Sequence, residues 1–327
     1  MSSDASRPPP PLDPECGAVW RSLSDAFFGG GSPRIDAEAL PALRAQAFPG
    51  RDGLLAGRRV TERTLRIPGP RGEIALSVFT AEGSAARAPG ICWIHGGGMV
   101  MGDRYGAVEA LDAAEAVGAV VVSVEYRLAP EHPAPAPADD CTAALRWLAA
   151  HAAELGLDSR QLVLGGASAG GGLAAAAALR LRDEGGPKLA GLLLCCPMLD
   201  DRMTTPSSQQ LADAPLWTRA SNAFGWRALL GERAGTEAVT PYEAPGRAED
   251  LAGLPPTFVD VGSADLFRDE DVAFASRIWA CGGDAELHVW PGGYHGFERF
   301  APAAALSADA REARRRWLAR TLAKAAV

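Results

Sequence analysis

The sequence predicts an α/β protein with a mostly parallel central sheet flanked by helices, and three observations carry that prediction. From residue 90 onward, short apolar runs alternate with helical ones, the pattern of parallel strands joined by crossover helices. The segment GGASAGGG at 165–172 sits where one such run passes into a helix. With 47% hydrophobic and 22% charged residues, the 327-residue chain has the balance of a globule able to bury a sizeable core.

In chain order, residues 1–12 are polar and proline-rich and read as disordered. Helix-like stretches follow over 15–28 and 36–48, with Val19, Leu23 and Phe27 at helical spacing. Two β runs come next, Arg59–Ile67 and Glu73–Thr80, joined by the turn sequence PGPRG. In the second, Ile74, Leu76 and Val78 alternate with Ala75, Ser77 and Phe79, so the pair reads as a hairpin. The alternating part then runs ICWIH, a helix near 105–117, AVVVSVEY, a helix near 138–155, QLVL and a helix from Ala169. It continues with LAGLLLCC, PTFVDV, a helix near 269–281, AELHVW and a terminal helix near 307–325. Residues 201–243 break the rhythm: they hold Trp217, Phe224 and Trp226 but no strand pattern, so they read as a helical insertion.

A formal net charge of −8 gives no general attraction to nucleic acid or to an anionic membrane. The one basic run, Arg314, Arg315 and Arg316, lies in the terminal helix beside Trp317, Leu318 and Leu322. Those apolar residues mark the buried face, and the arginines read as solvated surface. The N-terminus lacks a secretion leader and no segment offers 18 uninterrupted apolar residues, so a cytoplasmic protein without stable membrane insertion is expected. Six cysteines show neither a C-x-x-C pair nor metal-ligand spacing and read as reduced structural thiols; no metal is expected.

The glycine segment admits three readings. A Walker loop needs lysine where Gly171 stands, and a dinucleotide loop needs glycine where Ala167 or Ser168 stands. Gly-x-Ser-x-Gly fits over Gly166–Gly170 between strand and helix, the setting that aims a serine from a sharp elbow. A serine hydroxyl requires a base, and the base a carboxylate. Of five histidines, His95, His132, His151 and His288 have structural settings, whereas His295 lies in PGGYHGF, a loop beyond the last strand. Asp265 follows the strand PTFVDV in a loop, while Asp260 is inside the strand and Asp269 and Glu270 start a helix. Ser168, Asp265 and His295 are therefore the expected nucleophile, acid and base, in the chain order of α/β-hydrolases. HGGG at 95–98 and the N–H of Ala169 are the candidate donors to an oxyanion.

These motifs resemble the hormone-sensitive lipase family of α/β-hydrolases, the bacterial type IV carboxylesterases. The resemblance rests on HGGG at 95–98, YRLAPEHPAPA at 126–136, GASAGG at 166–171, DLFRDE at 265–270 and YHGF at 294–297. It covers residues 57–327 and implies an α/β-hydrolase fold with a helical cap. The cap would comprise residues 1–56 and 201–243, over a catalytic domain of 57–200 and 244–327. It further implies Gly97, Gly98 and Ala169 as the oxyanion hole, Ser168–Asp265–His295 as the triad, no cofactor, and a small-molecule ester as substrate, with short to medium acyl chains. Met99, Trp217, Phe224 and Trp226 are candidate substrate contacts. Amide or N-acetyl hydrolysis, lactone opening and acyl transfer share the same acyl-enzyme. The family also includes receptors that bind without catalysis, though these lack the base histidine. Many relatives dimerise, which leaves a homodimer open. Three departures stand out: Ala167 where the family commonly has Asp, Leu266 and Phe267 in the acid motif, and Met99 where many relatives carry an aromatic residue.

Overall fold

The computed structural model describes residues 8–46 and 50–326. Helix α1 (Pro14–Phe27) starts where Asp13 Oδ1 accepts the N–H groups of Glu15 and Cys16 at 3.0 and 2.9 Å, with proline at the first helical position. The helix expected over 36–48 is shorter, α2 (Leu40–Ala45). Asp36 Oδ1 instead accepts from Glu38 and Ala39 N–H, making a side-chain turn of 36–39, and Pro41 opens the helix; residues 47 and 48 lie outside the described residues. Helix α3 (Gly50–Leu55) follows. Disorder expected over 1–12 does not extend to 8–12: Gln210 Nε2 donates to the Pro8 carbonyl at 2.7 Å, and Leu12 packs beside Tyr294 and Phe297. Residues 1–7 lie outside the described residues.

Among the described residues one eight-stranded sheet organises the chain. It contains β1 (Val60–Gly69), β2 (Gly72–Ala81), β3 (Ala88–Ile94), β4 (Val120–Glu125), β5 (Leu157–Ala167), β6 (Gly191–Cys195), β7 (Thr257–Gly262) and β8 (Ala285–Trp290). The spatial order is β1-β2-β4-β3-β5-β6-β7-β8, with β2 antiparallel to β1 and β4 and every later pairing parallel. Alternate residues of β3 face opposite layers: Ile91 and Trp93 join the core under α4 (Val108–Glu115), and Cys92 and Ile94 the larger core under α5 (Ala136–Ala150) and α6 (Ala169–Asp183). This two-sided burial explains why the parallel strands read as nearly continuous apolar runs.

The chain leaves β3 toward β4 on one side and returns through β5 on the other, so the loops after β3 and β5 diverge and open a crevice at the strands' C-terminal ends. Residues 201–243 carry α7 (Pro206–Gln210) and α8 (Arg219–Leu230) and no strand of the sheet, as their pattern predicts. Then come α9 (Arg268–Ala280), the short α10 (Phe297–Phe300) and α11 (Ala305–Ala325). No helix among the described residues is long and apolar enough to cross a membrane.

A further sequence reading is overturned. Arg314 is not solvated surface: it is 3% exposed and bonded to Asp260 and Glu298. The helix rotates Arg314 inward beside Trp317 and Leu318, where two buried carboxylates receive it. Arg316 stays exposed on the opposite side, paired with Glu312.

Candidate active site

Ser168 occupies the passage from β5 to α6 with φ 56° and ψ −123°, a conformation that costs a non-glycine residue on the order of 1–3 kcal/mol. The surroundings hold it there. Its N–H donates to Cys195 O at 2.8 Å, and its carbonyl accepts from Met198 and Gly172 at 2.9 and 3.1 Å. A Cβ on Gly170 would overlap the Ile94 and His95 carbonyls, so glycine is what lets α6 start directly against the end of β3.

His295 Nε2 lies 2.9 Å from Ser168 Oγ, and its Nδ1 lies 2.8 Å from Asp265 Oδ2. The other Asp265 oxygen accepts the Phe267 N–H at 3.0 Å, and the carboxylate is fully buried. The structure thus brings together three side chains that the sequence holds far apart. Burial disfavours a charged imidazole, but the Asp265 carboxylate, by charge and hydrogen bond, outweighs it and raises the His295 pKa.

Gly97 and Gly98 stand in the loop after β3 and Ala169 opens α6 after β5, so all three lie on the loops that flank the crevice. Gly97 has φ 113° and Gly98 φ 62°, left-handed values that favour glycine. The space in front of Gly98 is filled by the Trp217 indole, which a Cβ there would overlap. Trp217 also lies 6.3 Å from the His295 ring and donates to Asn222 Oδ1 at 3.2 Å. All four apolar candidates belong to or pack on the large core, Trp217 at 4% exposure. Met99 and Trp226 are 0% and 1% exposed within the large core, and Phe224 packs on that core partly buried.

Sequence reasoning missed several supports. Phe267, one of the departures in the acid motif, sets its ring edge-on to His295 at 5.2 Å. His95 stacks on Tyr126 at 4.2 Å, and the Tyr126 hydroxyl donates to the His95 carbonyl, which fixes the start of the glycine loop. The YRLAPEHP motif holds that tyrosine, which was the available signal. Cys196, with Asp265 and His295, offers the one grouping among the described residues whose potential metal ligands lie together, within 4.8 Å. There the imidazole and carboxylate are bonded to each other, and burial pushes the thiol well up, keeping it protonated.

Residues 91–299 match the family model described as alpha/beta hydrolase fold. The chain is 39% identical over 247 residues to esterase LipI of Mycobacterium tuberculosis, covering 73% of this chain and 77% of the relative. It is 38% identical over 261 residues to carboxylesterase NlhH of the same species, covering 77% and 80%. Among solved structures it is similar to a bacterial heroin esterase, with a TM-score of 0.86 and 38% identity over 95% of this chain and 98% of that one.

Proposed function

The chain belongs to the hormone-sensitive-lipase branch of the alpha/beta-hydrolase-fold family and is a carboxylic ester hydrolase, and on that premise we propose that Ser168, His295 and Asp265 carry its reaction. The observation that supports this reading is the unbroken relay of 2.9 and 2.8 Å bonds from hydroxyl to imidazole to carboxylate. Ser168 Oγ attacks the ester carbonyl while His295 Nε2 takes its proton. The Gly97, Gly98 and Ala169 N–H groups receive the oxyanion, each donor worth roughly two to three orders of magnitude in turnover. His295 returns the proton to the departing alkoxide, and water, deprotonated by the same imidazole, releases the acid from Ser168. Asp265 fixes the tautomer that leaves Nε2 free to accept.

The proposal extends to short acyl groups, because the Trp217 ring stands against Gly98. It also assigns the described part of 1–56 and residues 201–243 as the cap over this site. Ser32 Oγ donates to the Ala214 carbonyl at 2.9 Å, and Arg44 reaches the Val100 carbonyl, which ties both segments to the glycine loop. The test is hydrolysis of p-nitrophenyl acetate, butyrate and octanoate by the wild type and by Ser168→Ala. A loss on the order of 10⁴-fold or more is expected in the variant, with labelling by a fluorophosphonate confined to the wild type. Undiminished turnover by Ser168→Ala would falsify the assignment.

A further inference from the structure

Behind the loop that carries His295 lies a buried ionic cluster that the reaction itself does not use. Arg314 of α11 donates from Nε and Nη2 to the two oxygens of Asp260 at 2.9 and 3.0 Å, and its Nη2 reaches Glu298 Oε1 at 2.7 Å. Trp290 Nε1 donates to the same Asp260 carboxylate at 3.0 Å. The side chains of Arg314, Asp260 and Glu298 are 4%, 0% and 6% exposed.

Their places in the chain matter. Asp260 stands in β7, which runs into the loop of Asp265. Trp290 ends β8, which runs into the loop of His295, and Glu298 lies in α10 just past that loop. One guanidinium therefore joins the strand before the acid to the turn after the base, and Asp260 ties in the strand before the base through Trp290. A small cavity of about 10 Å³ is bordered by Asp260, Glu298 and Arg314 of this cluster and by Tyr294 and Gly296, the neighbours of His295 in its loop. Buried ion pairs are weak contributors to net stability, since desolvation offsets their attraction. Holding a geometry accounts for such a cluster better than holding the fold.

We propose that Arg314 is a positioning residue for His295, clamping Asp260 and Glu298 so that Nε2 stays in line with Ser168 Oγ. The inference rests on the Ser168–His295–Asp265 reading. It also gives Glu298 an electrostatic part. The charged and titratable groups around the imidazole are Asp265 from the loop after β7, Glu298 from α10, Cys196 after β6 and, at longer range, Glu109 from α4. Two carboxylates against one guanidinium leave the cluster net negative, which favours the imidazolium formed during attack.

The test uses Arg314→Lys and Glu298→Gln in the full chain, with melting temperature recorded for both. Lysine keeps the charge but cannot reach both oxygens of Asp260 and Glu298 together. Its kcat should fall about 10- to 100-fold while KM stays within about two-fold. Glutamine keeps an acceptor for Arg314 and removes the charge, so the acid limb of its kcat/KM profile should move to lower pH. Should Arg314→Lys not fold, Glu298→Gln decides alone. A folded Glu298→Gln whose pH profile superimposes on the wild type overturns the inference, as does a folded Arg314→Lys with unchanged kcat. Wild-type activity and fluorophosphonate labelling are read in the same series: if the wild type shows neither, the Ser168 reading is what fails.

Discussion

His295 is subject to two opposing influences, and their balance sets how activity responds to pH. Burial favours the neutral ring, Asp265 favours the charged one, and the second prevails, so the pKa lies above the ordinary imidazole value. Only the neutral ring accepts the Ser168 proton, so kcat/KM should fall as pH drops through that raised pKa. Asp265→Asn removes the raising charge; its acid limb should move to lower pH while kcat drops roughly 10⁴-fold, both read from one set of pH–rate profiles. Gly98→Ala tests the facing donors: the new methyl meets Trp217 at a φ of 62°, and activity should fall by at least about 10²-fold. The three side chains of the relay are legible in the sequence because each stands in a loop at a strand's C-terminal end, in a recognisable chain order. Arg314 is not legible. Helical periodicity shows which face is apolar, but not that a charged residue beside that face will meet carboxylates delivered by β7 and α10, far away in sequence.

At the level of elements, the alternation of apolar runs and helices suffices for the interior strands, since β3, β4, β6 and β7 are buried on both faces, whereas the edge strand β8 is only partly buried. Boundaries are less visible where a side chain competes with the backbone, as Asp36 does ahead of α2. The β5–α6 elbow works because α6 begins against β3 with no side chain between. Gly170→Ala should therefore cost more than about 2 kcal/mol of stability in denaturant unfolding, since its methyl has only the carbonyls of Ile94 and His95 to displace. Helix α11 supplies a second test. Arg314→Ala leaves Asp260 and Glu298 buried without their cation and should destabilise the protein by about 3–5 kcal/mol, whereas Arg316→Ala, on the exposed side, should change stability by less than about 0.5 kcal/mol.

Across the whole molecule, Arg44 is one of several points that fasten the described N-terminal segment to the body, beside Ser32 on Ala214, Gln210 on Pro8 and Cys16 in the core around Tyr294. The Arg44 guanidinium donates to the carbonyls of Val100 and Ala129 at 2.6 and 2.7 Å and to both oxygens of Glu131 at 2.8 and 2.9 Å. Hydrogen bonding to Arg44 lowers the Glu131 pKa to about 2. A depressed carboxylate pKa means the contact is present above the ordinary value and lost only as pH falls through the lowered one, so it should persist through mild acid. Arg44→Ala should speed amide hydrogen exchange in residues 40–46 at pH 4 and pH 7 alike, with little change in global melting temperature.

The indole over Gly98 has a consequence for the resting enzyme. Ser168 is only 8% exposed, and Trp217, 6.3 Å from the His295 ring, is 4% exposed, so a bulky reagent needs this packed neighbourhood to give way before it reacts. Admission and bond-making are then separate hurdles, and girth is judged at the first. Fluorophosphonates of equal electrophilicity but increasing bulk should label the wild type at steadily declining rates, and Trp217→Ala should flatten that decline.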